Sequence, residues 1–426
     1  MISAMLQYIQ RSPDCFHAVE ELRQRLLREG YTELRPGRWQ LTAGGKYFTT
    51  KNGSSLMAFR IPQEAPAGFL LTASHSDSPC FRLRDHAELT GEYIRLSAER
   101  YGGMINDSWL DRPLSVAGRV VVRREGGLEA RLVDLKRDVA LIPRVAIHLN
   151  RETNSGVKYD PARDLVALYA AGTGSGSFYR EVARTADCAP EDVVAGDLVL
   201  YNNQPGTVWG PEGEFVSAPR LDDLACVFAC TEGFLTAQER DMVPVLCVFD
   251  NEEIGSETKQ GAASVFLPET LAAISEALGL SAADHRALLA DSMMLSCDNG
   301  HARHPNHPEL ADTNEAPVPN GGVVVKHSPR YATDGVSAAV FTELCRRAEV
   351  PVQHYANRPD QMGGATLGNI ADTKLPIPTV DIGMAQLAMH SCFETMGSRD
   401  VEAFVRAVRA CYESSLRFTP EGVALR

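Results

Sequence analysis

Residues 243–256 read Val-Pro-Val-Leu-Cys-Val-Phe-Asp-Asn-Glu-Glu-Ile-Gly-Ser, an apolar run followed at once by four polar residues, three of them acidic. An unbroken apolar run of this length is typical of a strand that is covered on both faces of an α/β sheet. Ligands of such sheets bind outside the carboxyl ends of the strands. The stretch therefore predicts an α/β fold and places Glu252 and Glu253 where chemistry is expected.

These adjacent carboxylates allow two interpretations. Two ionised Glu side chains repel each other, so the pair is favoured where a cation binds one of them and the other acts as a base. The alternative is a solvated loop that caps a helix. Two adjacent Glu residues alone favour the loop, so the decision depends on the remainder of the chain.

Length and composition restrict the class of protein. The chain has 426 residues, which indicates about two to three domains. Hydrophobic residues make up 44% and charged residues 23%, as in soluble globular proteins. The net charge of −13 argues against nucleic acid or an anionic membrane surface as the main partner. No apolar run approaches the roughly 18 residues that a membrane span needs.

The cysteines predict a reducing compartment. Ten cysteines occur without a CxxC pair, in apparent core segments such as those of Cys226, Cys230 and Cys247. The N-terminus lacks a basic region followed by the apolar core of a signal peptide. We therefore expect a cytoplasmic protein.

Other predicted strands also end in residues that bind metals. The strand at 68–74 leads into His75, whose imidazole is a metal ligand, and Asp77 two residues later can orient that imidazole. A strand at 293–297 is followed by Asp298, and the strand at 377–383 leads to His390. The same arrangement of apolar strand and ligand-type residue thus recurs along the chain.

The start of an apolar helix supplies a further candidate. Asp222 and Asp223 open the helical segment that begins near residue 221. Asp223 alone can be explained by stabilisation of the helix dipole, so Asp222 is the better metal candidate. His17, in the second of two amphipathic helices predicted within residues 3–29, is expected to give local support rather than to bind a metal.

The sequence changes character between about residues 88 and 214. Short β-like pieces, among them residues 144–149 with His148, alternate with Gly, Asp and Pro. We predict an inserted β-rich domain at 88–214 within a catalytic domain formed by 1–87 and 215–426. The Gly-rich residues 172–176 predict a surface loop, because the spacing, the following helix and the Lys of a phosphate-binding loop are missing.

Six side chains match the needs of a two-zinc hydrolase. Two zinc ions about 3.5–4 Å apart take about three protein ligands each with one carboxylate shared, and a further carboxylate deprotonates water. No HExxH motif or GxSxG elbow indicates a different hydrolase. The six candidates are His75, Asp222, Glu252, Glu253, Asp298 and His390.

The sequence closely resembles the aspartyl aminopeptidase family, and the likeness runs almost from end to end. It is carried by Arg11-Ser-Pro-Asp-Cys-Phe-His-Ala-Val19, Gly45-Lys-Tyr-Phe-Thr-Thr-Lys-Asn52, Ala73-Ser-His75-Ser-Asp77-Ser-Pro79, Ala146-Ile-His148-Leu149, Pro219-Arg-Leu-Asp222, Asp250-Asn-Glu252-Glu253-Ile-Gly-Ser256, Asp298-Asn-Gly-His301-Ala-Arg-His304-Pro-Asn306 and Gln386-Leu-Ala-Met-His390-Ser391.

The resemblance implies a role for each of the six candidates. It makes His75 and Asp298 ligands of one zinc ion, and Glu253 and His390 ligands of the other. Asp222 bridges the two ions, and Co²⁺ or Mn²⁺ are possible substitutes. Glu252 is then the general base, which takes a proton from a bridging water and passes it to the leaving amine.

The resemblance also implies a substrate and its binding residues. The family acts on peptides with a free N-terminus and prefers N-terminal Asp or Glu. Lys326 corresponds to the residue that meets this carboxylate, and His148 to a His offered to a neighbouring subunit. Asp360 opens a Gly-rich turn near the substrate pocket. Its sequence, Asp-Gln-Met-Gly-Gly-Ala-Thr, departs from the usual Asp-Met-Pro-Cys-Gly-Thr-Thr, and Lys326 is followed by His327 instead of Val or Leu.

The family fold is a catalytic α/β domain with a mixed sheet flanked by helices, interrupted by a β-rich oligomerisation domain and assembled as a tetrahedral dodecamer. Two alternatives use the same scaffold. A two-zinc deacylase of N-acyl amino acids shares much of the ligand pattern, and a non-catalytic assembly protein would be expected to lose ligands or the base. This chain keeps all six residues, which favours the aminopeptidase.

Overall fold

The computed structural model describes residues 1–172, 174–361, 363–364 and 366–426. Thr173 of the predicted surface loop, and Met362 and Ala365 of the turn that Asp360 opens, lie outside the described residues. The helices are α1 (Ile2–Arg11), α2 (Cys15–Arg28), α3 (Ser177–Thr185), α4 (Leu221–Thr236), α5 (Phe266–Ala277), α6 (Ala282–Ala290), α7 (Gly335–Arg347), α8 (Leu367–Asp372) and α9 (Asp400–Tyr412).

The strands form four sheets and lie along the whole chain. They are β1 (Thr32–Glu33), β2 (Lys46–Lys51), β3 (Ser55–Arg60), β4 (Gly68–His75), β5 (Cys80–Leu89), β6 (Tyr93–Tyr101), β7 (Pro113–Arg124), β8 (Gly127–Asp134), β9 (Ala140–Leu141), β10 (Ala167–Ala171), β11 (Val193–Tyr201), β12 (Thr207–Trp209), β13 (Phe215–Ala218), β14 (Met242–Phe249), β15 (Met293–Cys297), β16 (Gly300–His301), β17 (Val323–His327), β18 (Val352–Ala356), β19 (Thr379–Gly383), β20 (Ala385–Leu387), β21 (Glu394–Gly397), β22 (Leu416–Thr419) and β23 (Gly422–Leu425).

The largest sheet has nine strands in the order β1-β2-β3-β14-β4-β15-β19-β17-β18. Strands β14, β4, β15 and β19 are parallel, whereas β3 and β17 pair antiparallel with β14 and β19. Every residue of these four parallel strands is buried. The predicted mixed sheet is therefore confirmed, and its centre reads as continuous apolar runs because both faces are covered.

Helices cover both faces of this sheet. Alternate residues of β4 face opposite sides: Leu70 packs in the apolar cluster that holds α4 and α9, and Phe69 and Leu71 pack in the cluster that holds α5 and α8. The predicted flanking of the sheet by helices is confirmed. No helix within the described residues is long and apolar enough to cross a membrane.

A second sheet has seven strands in the order β11-β5-β6-β10-β9-β7-β8, all taken from residues 80–201. Its pairings are antiparallel, and it has an apolar core of its own. The α/β fold with a separate β-rich part thus agrees with the predicted class. The division of the chain at residues 88 and 214 stays a prediction.

Local signals in the N-terminal region are confirmed. Residues 12–14 separate α1 from α2, and the Asp14 carboxylate caps α2 by accepting from the backbone N–H groups of Phe16 and His17. The His17 ring also contacts Asp14 at 2.7 Å, so His17 gives the local support expected of it. Asn52 and Gly53 both have positive φ and form the hairpin turn between β2 and β3, as an Asn-Gly pair in the sequence predicts.

Three local predictions were wrong. Residues 144–149 form no strand, and His148 lies in a turn; Pro143, which has no N–H to donate, precedes the segment. The sequence of residues 259–279 also predicts a helix, but α5 begins only at Phe266, because the side chain of Asn251 holds Thr258 and Gln260 in the preceding loop. A helix, α3, does follow the Gly-rich loop.

Candidate metal centre

Three of the candidate ligand groups lie at one edge of the large sheet. His75 is the last residue of β4 and pairs with Phe249 at the end of β14. Glu252 and Glu253 follow β14 in a short 3₁₀ turn. Asp298 follows β15, which runs parallel to β4 on its other side. Parallel neighbouring strands thus bring these side chains to the same carboxyl edge.

Asp222 and His390 reach the same place from a smaller sheet. This sheet has the order β12-β13-β21-β20-β16, and Ala218 of β13 pairs with Glu394 of β21. The buried carboxylate of Glu394 accepts hydrogen bonds from the backbone N–H of Asp222 at 3.0 Å and of His390 at 2.7 Å. One side chain therefore fixes the backbone of two candidate ligands.

The five candidate ligands form a chain of close contacts with Asp222 in the middle. Asp222 Oδ1 lies 3.6 Å from His75 Nε2, and Asp222 Oδ2 lies 3.4 Å from His390 Nε2. His75 Nε2 also lies 4.0 Å from Asp298 Oδ1, and His390 Nε2 lies 3.3 Å from Glu253 Oε2. Asp222 thus presents one oxygen to each histidine.

The residues present fit a centre that binds divalent cations. Asp222 Oδ1 and Glu253 Oε1 are buried and have no hydrogen-bond partner among the described residues, which is costly unless another group satisfies them. Burial raises the pKa of Glu253 well above its usual range, and the charge of Asp222 adds to this rise. Cations would relieve both penalties, and the imidazole and carboxylate donors are those that zinc takes.

Both imidazoles are oriented with Nε2 towards the centre. His75 Nδ1 lies 3.0 Å from the carbonyl oxygen of Asp77, and His390 Nδ1 lies 2.8 Å from that of Gly103. Each carbonyl accepts the Nδ1 hydrogen and so fixes the tautomer in which the other nitrogen is free. The Nε2 atoms are therefore set to bind a metal.

The carboxylate of Asp77 connects the His75 loop to the acidic loop. It accepts hydrogen bonds from the Tyr101 hydroxyl at 2.7 Å and from the backbone N–H groups of Glu252 and Glu253, both at 3.1 Å. Burial alone would raise the pKa of Asp77, but His75 and these donors outweigh it and lower that pKa. Asp77 is therefore an anion whose contacts position its neighbours.

Glu252 lies beside the chain of ligands without joining its central contacts. Its carboxylate is within 4.8 Å of ligand atoms of His75 and Glu253, but it is outside the group that Asp222, Glu253 and His390 form. Burial raises the pKa of Glu252 to about 8, with the positive charge of His75 opposing and nearby carboxylates adding to the rise. The position of Glu252 is compatible with its predicted role as the base, and that role stays a prediction.

Some residues around the cleft were not predicted from the sequence. The cleft has a volume of about 130 Å³. Asp223, rated below Asp222, has a carboxylate oxygen within 4.8 Å of ligand atoms of His75, Asp222 and Asp298, and it accepts from the His75 backbone N–H at 3.2 Å. Glu394, Tyr331 and Tyr355 carried no local signal, whereas His301 stood within a motif of the family. The cleft is lined by His75, Asp222, Glu252, Glu253, Asp298, Asn299, Gly300, His301, Lys326, Tyr331, Tyr355, Gly364, Thr366, Met389 and His390.

The three predicted substrate residues lie in different surroundings. Lys326 lines the cleft, is 1% exposed, and donates to Asp298 Oδ2 at 3.3 Å and to the Asn299 carbonyl at 3.2 Å. Asp360 is exposed and pairs with Arg358, and Gly364 of the same turn lines the cleft instead. His148 is exposed and does not line the cleft of its own chain. The roles of all three stay predictions.

Comparison with known proteins gives the family. The sequence model of "Aminopeptidase I zinc metalloprotease (M18)" matches residues 8–412. A probable M18 family aminopeptidase 2 of Clostridium acetobutylicum is 40% identical over 411 residues, covering 93% of this chain and 94% of the relative. The protein of the same name from Pseudomonas paraeruginosa is 37% identical over 424 residues, covering 96% and 97%.

Solved structures agree with these relatives. Ape4, solved by cryo-EM in complex with Nbr1, matches with a TM-score of 0.93 and 31% identity over 96% of this chain and 85% of that chain. The mApe1 dodecamer of S. cerevisiae matches with a TM-score of 0.85 and 29% identity over 96% of each chain. The chain belongs to the M18 family of zinc aminopeptidases.

Proposed function

We propose that this chain is a two-zinc aminopeptidase that removes N-terminal Asp or Glu from peptides. The observation that carries the proposal is the position of Asp222, which turns one carboxylate oxygen to each of two histidines. His75 and Asp298 would hold one ion, Glu253 and His390 would hold the other, and Asp222 would be shared. Co²⁺ or Mn²⁺ could substitute for zinc.

In this proposal Glu252 transfers the proton. Zinc, when bound, supplies a Lewis acid that polarises the scissile carbonyl and lowers the pKa of water. Glu252 takes the proton from the attacking water and delivers it to the nitrogen of the leaving amine, so the peptide bond breaks with a neutral leaving group. The bond from the Glu252 backbone N–H to Asp77 fixes the start of the turn that carries this carboxylate.

The acidic preference is supported by the charge of the cleft. Lys326 is a buried cation beside the centre; burial lowers its pKa, but the charge of Asp298 outweighs this and raises it, so the ammonium is retained. His301, Tyr331 and Tyr355 offer further polar atoms around the same space.

We also propose that the β-rich part at residues 88–214 mediates assembly into a homo-oligomer. The segment around His148 is exposed and apolar, with Val145, Ile147 and the 83% exposed Leu149. Such surface is usually covered by a partner. The related mApe1 was solved as a dodecamer, which supports a homo-oligomer. We propose that this oligomer is a tetrahedral dodecamer in which His148 reaches the cleft of a neighbour.

A substrate panel tests the function. Zinc-loaded protein is assayed with the p-nitroanilides of Asp, Glu, Ala and Leu, and with N-acetyl-aspartate. We expect release from Asp and Glu to exceed release from Ala and Leu by at least about tenfold, since a buried ion pair contributes more than about 1.4 kcal/mol. Faster hydrolysis of N-acetyl-aspartate would indicate the deacylase, and no turnover by protein that retains its metal would indicate the assembly protein.

A further inference from the structure

Two histidines meet on neighbouring strands outside the catalytic cleft. His327 ends β17 and His354 lies in β18, the edge strand of the large sheet. His327 Nε2 lies 3.0 Å from His354 Nδ1, and the two rings are stacked with their centroids 5.2 Å apart and their planes at 27°. The side chains therefore bring two imidazole nitrogens together.

The contact between His327 and His354 is, within the described residues, the only side-chain hydrogen bond or ion pair that either ring makes. His354 is exposed and His327 partly exposed, so solvent ions can reach both. Burial and the neighbouring His354 lower the pKa of His327, with Glu315 opposing. A neutral imidazole with a free lone pair is the form that binds a metal.

We propose that His327 and His354 bind a third divalent cation of the late first-row transition metals, such as zinc. Zinc binds imidazole nitrogens at about 2.0–2.1 Å, so tetrahedral geometry separates two such ligands by about 3.4 Å. The observed 3.0 Å needs an opening of a few tenths of an ångström. Water fills the remaining positions, and the negative charge of Glu315, which acts on His327, favours a cation there.

The proposed site lies on the reverse face of the strands that carry cleft residues. Lys326 pairs with Tyr355 in the register of β17 and β18, and both side chains line the catalytic cleft. His327 lies one position after Lys326, and His354 lies one position before Tyr355. Both histidine side chains are therefore on the opposite face of the sheet. An ion there would join the edge strand to its neighbour without contacting the residues proposed to hold the two catalytic zinc ions.

Metal content tests the proposal without an activity assay. The protein is loaded with its resident zinc, then dialysed against stepwise higher free Zn²⁺, and zinc per subunit is measured. We expect the wild type to take up one further equivalent, with a rise in melting temperature, because a ligand that binds only the folded state stabilises it. His354→Gln and His327→Gln should lose both the further equivalent and the rise.

The matched control is His307→Gln, because His304 and His307 also lie close, with ring centroids 5.2 Å apart. Unchanged resident zinc in each variant shows that it is folded. The proposal is overturned if the wild type takes up no further equivalent, if either variant of the pair retains it, or if His307→Gln loses it. Resident zinc is measured before free Zn²⁺ is raised, so failure to take up the further equivalent is distinct from failure of the two-zinc function.

Discussion

The two halves of the candidate metal centre use the same ligand types on different supports. His75 ends a central strand of the large sheet and its side chain is 1% exposed. His390 lies in the loop between β20 and β21, has a positive φ, and is 29% exposed. His75 is therefore positioned by the packed sheet, whereas His390 depends on a loop that Glu394 and Gly103 hold.

This difference indicates what each half contributes. A ligand on a buried strand is ordered before any metal binds, so little conformational entropy is lost on binding. A ligand on a half-exposed loop loses more freedom and is reached more easily by solvent. We expect the ion at His75 to be held tightly and the ion at His390 to exchange. Asp222 is common to both.

The largest effect should come from Glu252, which we propose as the general base and not as a ligand of either ion. Glu252→Gln should lower kcat by about 10²–10⁴-fold, because the amide cannot accept the proton of water. Zinc content should stay at two ions per subunit. Steady-state kinetics and metal analysis check this, with the exposed Glu257→Gln as the control. Wild-type turnover in Glu252→Gln would remove it from the mechanism.

Substitution of each histidine should distinguish the halves. His390→Gln should retain one zinc ion per subunit, because His75 and Asp298 do not depend on it. His75→Gln should bind zinc more weakly at both positions, since the remaining half rests on the loop and on the shared Asp222. We expect an affinity loss of at least about tenfold, measured by equilibrium dialysis. Equal retention of zinc by the two variants would contradict the comparison.

Removal of the metal should make stability depend on pH. In the metal-free protein burial raises the pKa of Glu252 from 4.5 to about 8. Burial lowers the pKa of His390, but its hydrogen bond to Asp222 and the charge of Glu253 outweigh this and raise it from 6.5 to about 10. Both groups therefore bind more protons in the folded than in the unfolded state, so the free energy of unfolding falls as pH rises.

The fall should extend from about pH 4.5 to 8 through Glu252 and from about pH 6.5 to 10 through His390. Zinc would bind His390 as the neutral imidazole, and the positive charge of the ions would lower the pKa of the nearby Glu252 carboxyl, so the loaded protein should lose this slope. Urea unfolding at pH 5, 7 and 9, with and without zinc, measures both slopes. The same slope in both states would mean that neither group faces a metal.

The smallest effect should come from Glu394, which connects Asp222 to His390. Glu394→Gln keeps the shape of the side chain, but its amide NH₂ group cannot accept a hydrogen bond. The backbone N–H of either Asp222 or His390 therefore loses its acceptor. We expect the affinity for the exchanging ion to fall by about tenfold and that for the tightly held ion to fall less, because Asp222 is common to both ions whereas His390 serves only the exchanging one. Competition dialysis with a zinc chelator checks this, using the exposed Glu402→Gln as the control. If zinc were lost only from the position at His75, Glu394 would support that position and not the loop of His390.

The part of the centre that follows strands of the large sheet could be predicted from the sequence. His75, Glu252, Glu253 and Asp298 follow apolar runs, and parallel strands bring their carboxyl ends to one edge whatever the loops do. The support of His390 could not be predicted in this way. Glu394 contacts Asp222 across 172 residues of sequence, and no local pattern specifies such a contact.

The surroundings of the substrate residues were also beyond the sequence. Lys326 was predicted as a substrate cation, but its contact with Asp298 depends on the approach of β17 to the end of β15. Asp360 looked like a pocket residue, whereas its bidentate pairing with Arg358 holds it at the surface. In both cases long-range packing decides which partner a charged side chain meets.

The most direct test of the account is anomalous diffraction at the zinc absorption edge from crystals of the zinc-loaded protein. We predict two anomalous peaks about 3.5–4 Å apart, one beside His75 and Asp298 and one beside Glu253 and His390. Asp222 should place one oxygen on each. A single peak, or two peaks that Asp222 does not join, would contradict the account.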